Sequence, residues 1–241
     1  HGPASWENGR TGSALMTNGE SYVDLGDTTS FDHQSSFSFG CWIKPVGEST
    51  GAPLGKMSEA DNNRGFFIDS SAGKLQVMLS NEWPQNSIML NTAEKIAADK
   101  WQHVFVTYDG SSKAQGVTVY VDGVGVKTEV VSDTLVSSIR TDAPLLIGRR
   151  YTGPKGSPFK GLIDDVRIFN RALTASEVAV LAGTSPASLD PDWFVVKTPV
   201  VIEIPLTIQM QRELQGKYLL LPCQLDPKHS KDATALIQHS L

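Results

Sequence analysis

The chain has 241 residues and a formal net charge of −5, with a pI near 5.5. That balance argues against a nucleic-acid partner, which needs a basic patch, and no apolar run reaches the roughly 18 residues of a membrane-spanning helix. With 21 Gly and 13 Pro there are turns enough for one all-β domain plus an extension, without low complexity.

The chain opens at His1 with neither a Met nor a signal-peptide pattern, as a processed chain does. Asn18-Gly19 marks the first tight turn. Phe37, Phe39, Cys41 and Ile43 then alternate with Ser36, Ser38, Gly40 and Trp42, which predicts a strand with one core face. Cys41 lies on that face, either as a buried free thiol or bridged to Cys223; neither zinc spacing nor a Cys-x-x-Cys pair is present. Val104, Val106 and Tyr108 alternate with His103, Phe105 and Thr107, both faces being apolar enough for a central strand. Val117, Val119 and Val121 alternate with Thr118, Tyr120 and Asp122, and turns fall at Asp109-Gly110 and Asp122-Gly123.

One helix is predicted. Thr174-Ala175-Ser176-Glu177 has the form of a capping box. Val178 and Leu181, with Leu173 ahead of the cap, supply an apolar stripe, and Gly183 is placed for a left-handed stop. Beyond it the composition shifts. Thr184-Ser185-Pro186-Ala187-Ser188 reads as a linker, followed by Phe194-Val195-Val196, Val200-Val201-Ile202-Glu203-Ile204, Leu206-Thr207-Ile208 and Tyr218-Leu219-Leu220-Leu221. Pro199 and Pro205 bar these runs from a central strand. They are apolar enough to pack on the sandwich, on a neighbouring domain or on another subunit.

Catalytic patterns are poor. A glucan hydrolase would align its carboxylates on one strand face. The nearest approach, Glu59-Ala60-Asp61-Asn62-Asn63-Arg64, lacks the third acid and lies in a polar loop. Gly51-Ala52-Pro53-Leu54-Gly55-Lys56-Met57 is one residue short of a phosphate loop and has Met where magnesium needs a hydroxyl. His103 has no nucleophile beside it and reads as a core or strand-pairing residue. Sugar binding needs an aromatic face with planar polar groups around it. Asn81-Glu82-Trp83-Pro84-Gln85-Asn86 and Arg149-Arg150-Tyr151-Thr152-Gly153-Pro154-Lys155 have that make-up. Trp83, Gln85, Asn86, Arg149, Arg150 and Tyr151 are therefore the candidate ligand-binding residues, although Trp83 serves equally as a loop anchor.

The segment Lys160-Gly161-Leu162-Ile163-Asp164-Asp165-Val166-Arg167-Ile168-Phe169-Asn170-Arg171-Ala172-Leu173 resembles the last strand of laminin-G-like domains, of the concanavalin A-like lectin/glucanase kind. Gly9-Arg10-Thr11-Gly12-Ser13-Ala14-Leu15, Ser21-Tyr22-Val23-Asp24-Leu25-Gly26, Trp101-Gln102-His103-Val104 and Pro144-Leu145-Leu146-Ile147-Gly148 resemble other strands of that family, in its order. The resemblance covers roughly residues 3–183. It implies a two-sheet antiparallel jelly roll with one short C-terminal helix, in an extracellular, periplasmic or cell-surface protein. It also implies a further strand ahead of His1, which would leave an open sheet edge here. Related jelly rolls often hold a structural Ca²⁺ between the last strand and the loop before the second strand. By position that set is Asp164 or Asp165 with Asn18, Gly19 and Glu20. The two Asp residues, one on each face of a regular strand, read equally well as solvated or paired with Arg167.

The expected organisation is therefore a jelly roll over residues 1–183 and a linker with a β-rich extension over 184–241. The expected function is non-catalytic recognition of a glycan or protein ligand through rim loops. Two alternatives stand beside it: an assembly protein docking partners or its own copies through residues 190–241, and an accessory domain of a larger enzyme. Part of residues 194–208 is expected to pair along a sheet edge.

Overall fold

The computed structural model describes residues 1–2, 5–47, 51–153 and 156–184. The chain divides into two units, His1–Leu189 and Asp190–Leu241. The expected edge pairing by residues 194–208 and the Cys223 partner for Cys41 fall outside the described residues.

Among the described residues fourteen strands run in order: β1 (Ser5–Asn8), β2 (Ser13–Asn18), β3 (Val23–Asp24), β4 (Phe37–Pro45), β5 (Leu54–Ser58), β6 (Arg64–Ser71), β7 (Lys74–Glu82), β8 (Asn86–Lys95), β9 (Gln102–Tyr108), β10 (Val117–Val121), β11 (Val124–Gly125), β12 (Thr128–Asp133), β13 (Leu145–Ile147) and β14 (Lys160–Phe169). They form two antiparallel sheets. The first has the order β1-β2-β14-β4-β9-β10-β11 and the second β12-β8-β7-β6-β5-β13-β3. The short helix α1 (Ala175–Leu181) follows. This is the expected two-sheet jelly roll.

Alternation builds the core. Phe37, Phe39, Cys41 and Ile43 of β4 all face it with none of their surface exposed. Phe39 meets Phe66 of the opposing sheet edge-on at 4.9 Å, a geometry that aromatic quadrupoles favour. β4 and β9 are central strands, each paired on both sides. Cys41 is a buried thiol with no disulfide partner among the described residues. Burial, with the Asp164 charge adding to it, pushes its pKa far up and leaves it inert. The two-residue turn Asp122-Gly123 has φ of 50° and 80°, as the twist of a tight hairpin requires.

The helix follows its sequence signals closely. The Thr174 hydroxyl accepts from the Glu177 amide while Glu177 reaches back to the Thr174 amide. Arg171 adds a bidentate pair to the same carboxylate, at 2.9 and 2.7 Å. Gly183 ends the helix at φ 70°. Val178 and Leu173 pack on Phe105 and Tyr120, so the helix covers part of the outer face of the first sheet.

His103 lies on that same face, 1% exposed, with its ring stacked on Phe105 at 5.3 Å. Burial, reinforced by the Arg167 charge, holds its pKa down at about 4. The folded chain thus keeps the imidazole neutral, while the unfolded chain protonates it below its ordinary value of about 6.5. Its contribution is complete above that value and is lost as pH falls from about 6.5 towards 4, a change of about 3 kcal/mol. Urea unfolding across this window should show a slope that flattens in His103→Gln. An identical slope in the two proteins would contradict this reading.

Candidate functional site

In the second sheet, Leu54, Phe66, Ile68, Leu75, Val77, Leu79, Ile88 and Leu90 point into the sandwich. The alternate residues of β5 to β8 therefore face outward. Cross-strand register arranges them in rows. One is apolar: Phe67 of β6, Met78 of β7 and Met89 of β8. The next is polar: Asp69, Gln76, Asn91 and, on β12, Glu129.

A loop folds onto the β5–β6 end of these rows. Gly55 makes this possible, since a Cβ there would lie 2.7 Å from the Arg150 Cα. The Arg150 guanidinium lies 5.3 Å above both the Phe67 and Tyr151 rings. Met57, Phe67, Met78 and Tyr151 form a small buried cluster, and Trp83, partly exposed, packs against it. Two segments predicted separately, around Trp83 and around Tyr151, thus meet on one sheet face.

The electrostatics of this patch are set by burial. Asp69 is 3% exposed and meets Arg150 at 3.4 Å. Burial raises its pKa, outweighing the opposing Ser157, Arg150 and the Ser70 and Gly51 amides. Burial likewise raises Tyr151, with Arg150 opposing and Glu59 adding to the rise. Three buried polar atoms here have no hydrogen-bond partner among the described residues: Ser80 Oγ, Asn91 Oδ1 and Arg150 Nε.

The other candidates are not part of the patch. Gln85 is exposed on the β7–β8 turn. Asn86 is structural: its Oδ1 accepts from the amides of Val136 and Ser137. Arg149 lies over the Tyr22 ring at 4.7 Å, on whose ring His1 also stacks.

The expected calcium set is not brought together either. Register pairs Asn18 with Lys160, while Asp164 lies four residues further along β14, about 13 Å at strand spacing. Asp164 Oδ2 accepts from the amides of Arg10 and Thr11, and Oδ1 from that of Asp165. Asn18 Oδ1 accepts from the Glu20 and Ser21 amides. Each set of oxygens is turned to the backbone N–H groups of its own loop. Nor do the two acids alternate as expected. A bulge lies between Asp164 and Arg167, Asp165 has φ 48°, and its carboxylate meets Arg167 at 3.4 Å. Asp164 is a loop anchor in this geometry. Asp164→Ala should lower the melting temperature equally in calcium and in EDTA. A loss seen only in calcium would restore the metal reading.

The fold is that of a concanavalin A-like jelly roll. The chain belongs to the laminin-G-like family of the concanavalin A-like lectin/glucanases superfamily, whose profile matches residues 17–179. No curated protein sequence matches the chain. Among solved structures it is similar to the binding domain of Paraclostridial Mosquitocidal Protein 1, with TM-score 0.57 and 19% identity, over 74% of this chain and 45% of that one. The chain thus spans less than half the length of that neighbour. It is also similar to the SAP-like pentraxin of Limulus polyphemus, with TM-score 0.53 and 17% identity, over 70% and 81%. A third likeness is to the CBM40 of the Ruminococcus gnavus IT-sialidase bound to α2,3-sialyllactose, with TM-score 0.50 and 16% identity, over 68% and 97%. At these identities the likeness is one of fold.

Phe67, Asp69, Gln76, Met78, Met89 and Asn91 were not foreseen as site residues. β6 and β7 carry apolar side chains on both faces, so they show no clean alternation. Phe66-Phe67 and Val77-Met78-Leu79 are the signal of that second apolar face.

Proposed function

We propose that this domain is a non-catalytic recognition module of an extracellular or cell-surface protein, and that it binds glycan on the outer face of the second sheet. The observation that carries this is the pair of partly exposed side chains Trp83 and Met89, Trp83 seated on the buried Met57–Phe67–Met78–Tyr151 cluster, with the half-buried amides of Gln76 and Asn91 on the same face. Aromatic and thioether groups receive the C–H face of a sugar, and planar polar groups receive its hydroxyls. Structural neighbours named as binding domains or carbohydrate modules support the reading. The test is a glycan array probed with the full chain, followed by calorimetric titration of the strongest ligand. Saturable binding supports the proposal; no retained glycan at high chain concentration contradicts it.

A second reading, assembly, rests on β12. This sheet-edge strand exposes Val130 at 58% and Val131 at 51%, and Val136 beyond it at 70%. Sedimentation over a range of concentrations tests it: a mass that rises with concentration favours assembly.

A further inference from the structure

The outer face of the second sheet passes abruptly from covered to open. Met57 of β5, Phe67 and Asp69 of β6 and Met78 of β7 point outward, where an uncovered sheet face would leave them in solvent. They are instead 1%, 0%, 3% and 5% exposed. Their cover is the 149–153 loop, from which Arg150 meets Asp69 at 3.4 Å and lies above the Phe67 ring, while Tyr151 packs on the rest. A second cover lies at one end of β7 and β8. Ser80 and Ser87, opposite each other on the same face, are fully buried. Trp83 of the adjoining turn packs on the outward cluster, and the Ser87 hydroxyl donates to the Pro84 carbonyl at 3.3 Å.

Between these two covers and the sheet edge lies an open corner. Met89 is partly exposed, and the Gln76 and Asn91 amides, paired across β7 and β8, are half-buried. Ser132 and Glu129 of β12 continue the surface beside Met89 and Asn91. β12 ends the sheet, and among the described residues that side stays open: Glu129 is exposed and Val131 is 51% exposed. From Gln76 to Glu129 is two interstrand steps, roughly 10 Å. Charges of both signs border the corner. Lys74 and Lys95 sit opposite each other beyond the amides, Lys127 precedes β12, Glu129 stands at the edge, Glu82 adjoins Trp83 and Glu59 lies beside Tyr151. Shape, not charge, therefore limits what fits.

Resting on the glycan reading above, we infer that this corner receives the end of an oligosaccharide chain and not a stretch from its middle. The terminal sugar lies on Met89, whose thioether receives its C–H face, with the Gln76 and Asn91 amides donating to and accepting from its hydroxyls. A straight chain crossing the strands meets the 149–153 loop at β6, and one lying along them meets the Trp83-Pro84 turn. In either direction one end of the ligand stops here, and the rest leaves over β12.

The experiment titrates the full chain, by calorimetry, with a panel of short free oligosaccharides, neutral and acidic. Each is used in three forms: unextended, with one sugar added at the non-reducing end, and with one added at the reducing end. For every member that binds, extension at one end should weaken binding about tenfold or more, the loss of at least one ordinary contact. Extension at the other end should change it less than about threefold. Gln76→Ala and Asn91→Ala should each weaken the unextended form about tenfold, with melting curves showing that each variant is folded. Equal tolerance of both extensions, or equal loss from both, would overturn the inference while leaving the glycan reading in place. So would end discrimination that persists undiminished in folded Gln76→Ala and Asn91→Ala proteins. A chain that binds no member of the panel overturns both this inference and the reading beneath it.

Discussion

Gly65→Ala should destabilise the domain by about 3 kcal/mol or more, and its melting temperature should fall accordingly. Gly65 sits on β6 opposite Met57 with φ 134°, a region that L side chains rarely adopt. Strain of that kind costs about 1–3 kcal/mol by itself. A Cβ built there would also lie 1.9 Å from the carbonyl oxygen of Lys56. That atom belongs to the β5 backbone, so the strands must separate to make room. The two costs act together at the centre of the second sheet, where β5 and β6 carry Met57 and Phe67 to the aromatic patch. Urea unfolding of the pure variant gives the number. A variant within about 0.5 kcal/mol of the parent, the range of an ordinary surface change, would contradict the strand geometry described here.

Trp83→Ala should abolish most of the glycan affinity, by roughly tenfold to a hundredfold, the loss that follows removal of one well-packed aromatic anchor. Its indole is partly exposed and packs on Met57, Phe67, Met78 and Tyr151. The fold should survive, because the main core between the sheets makes no use of this residue. Titration calorimetry on the array's best ligand, beside a thermal melt, separates the two effects. Full affinity in a folded Trp83→Ala protein would leave Trp83 as a loop anchor, the alternative its sequence context already offered.

Much of the sandwich was legible because one-sided burial writes itself as alternation. Phe37 to Ile43 and Val117 to Val121 show it, and the capping box at Thr174 specified the helix start to the residue. The site was half legible. Trp83 and Tyr151 stand out as aromatics in polar loops, yet their meeting depends on Gly55 letting a distant loop lie flat on β5. No local pattern carries that contact. Met78 and Met89 were hidden because an apolar side chain on the outer face looks the same in sequence as one in the core. The calcium grouping rested on motif position rather than on strand register. Motif position put Asp164 near Asn18, but strand register separates them, and a bulge at Asp165 breaks the alternation on which the face assignment rested.

Methionine methyls give the most direct test of where the ligand sits. The full chain has five Met residues. Met57, Met78 and Met89 belong to the outer face of the second sheet, and Met16 lies on β2 of the first. With methyl-¹³C methionine and the best array ligand, the Met78 and Met89 signals should shift on titration, together with Met57, while Met16 stays in place. A saturating shift at Met16 with Met57, Met78 and Met89 unmoved would contradict the assignment of binding to this face.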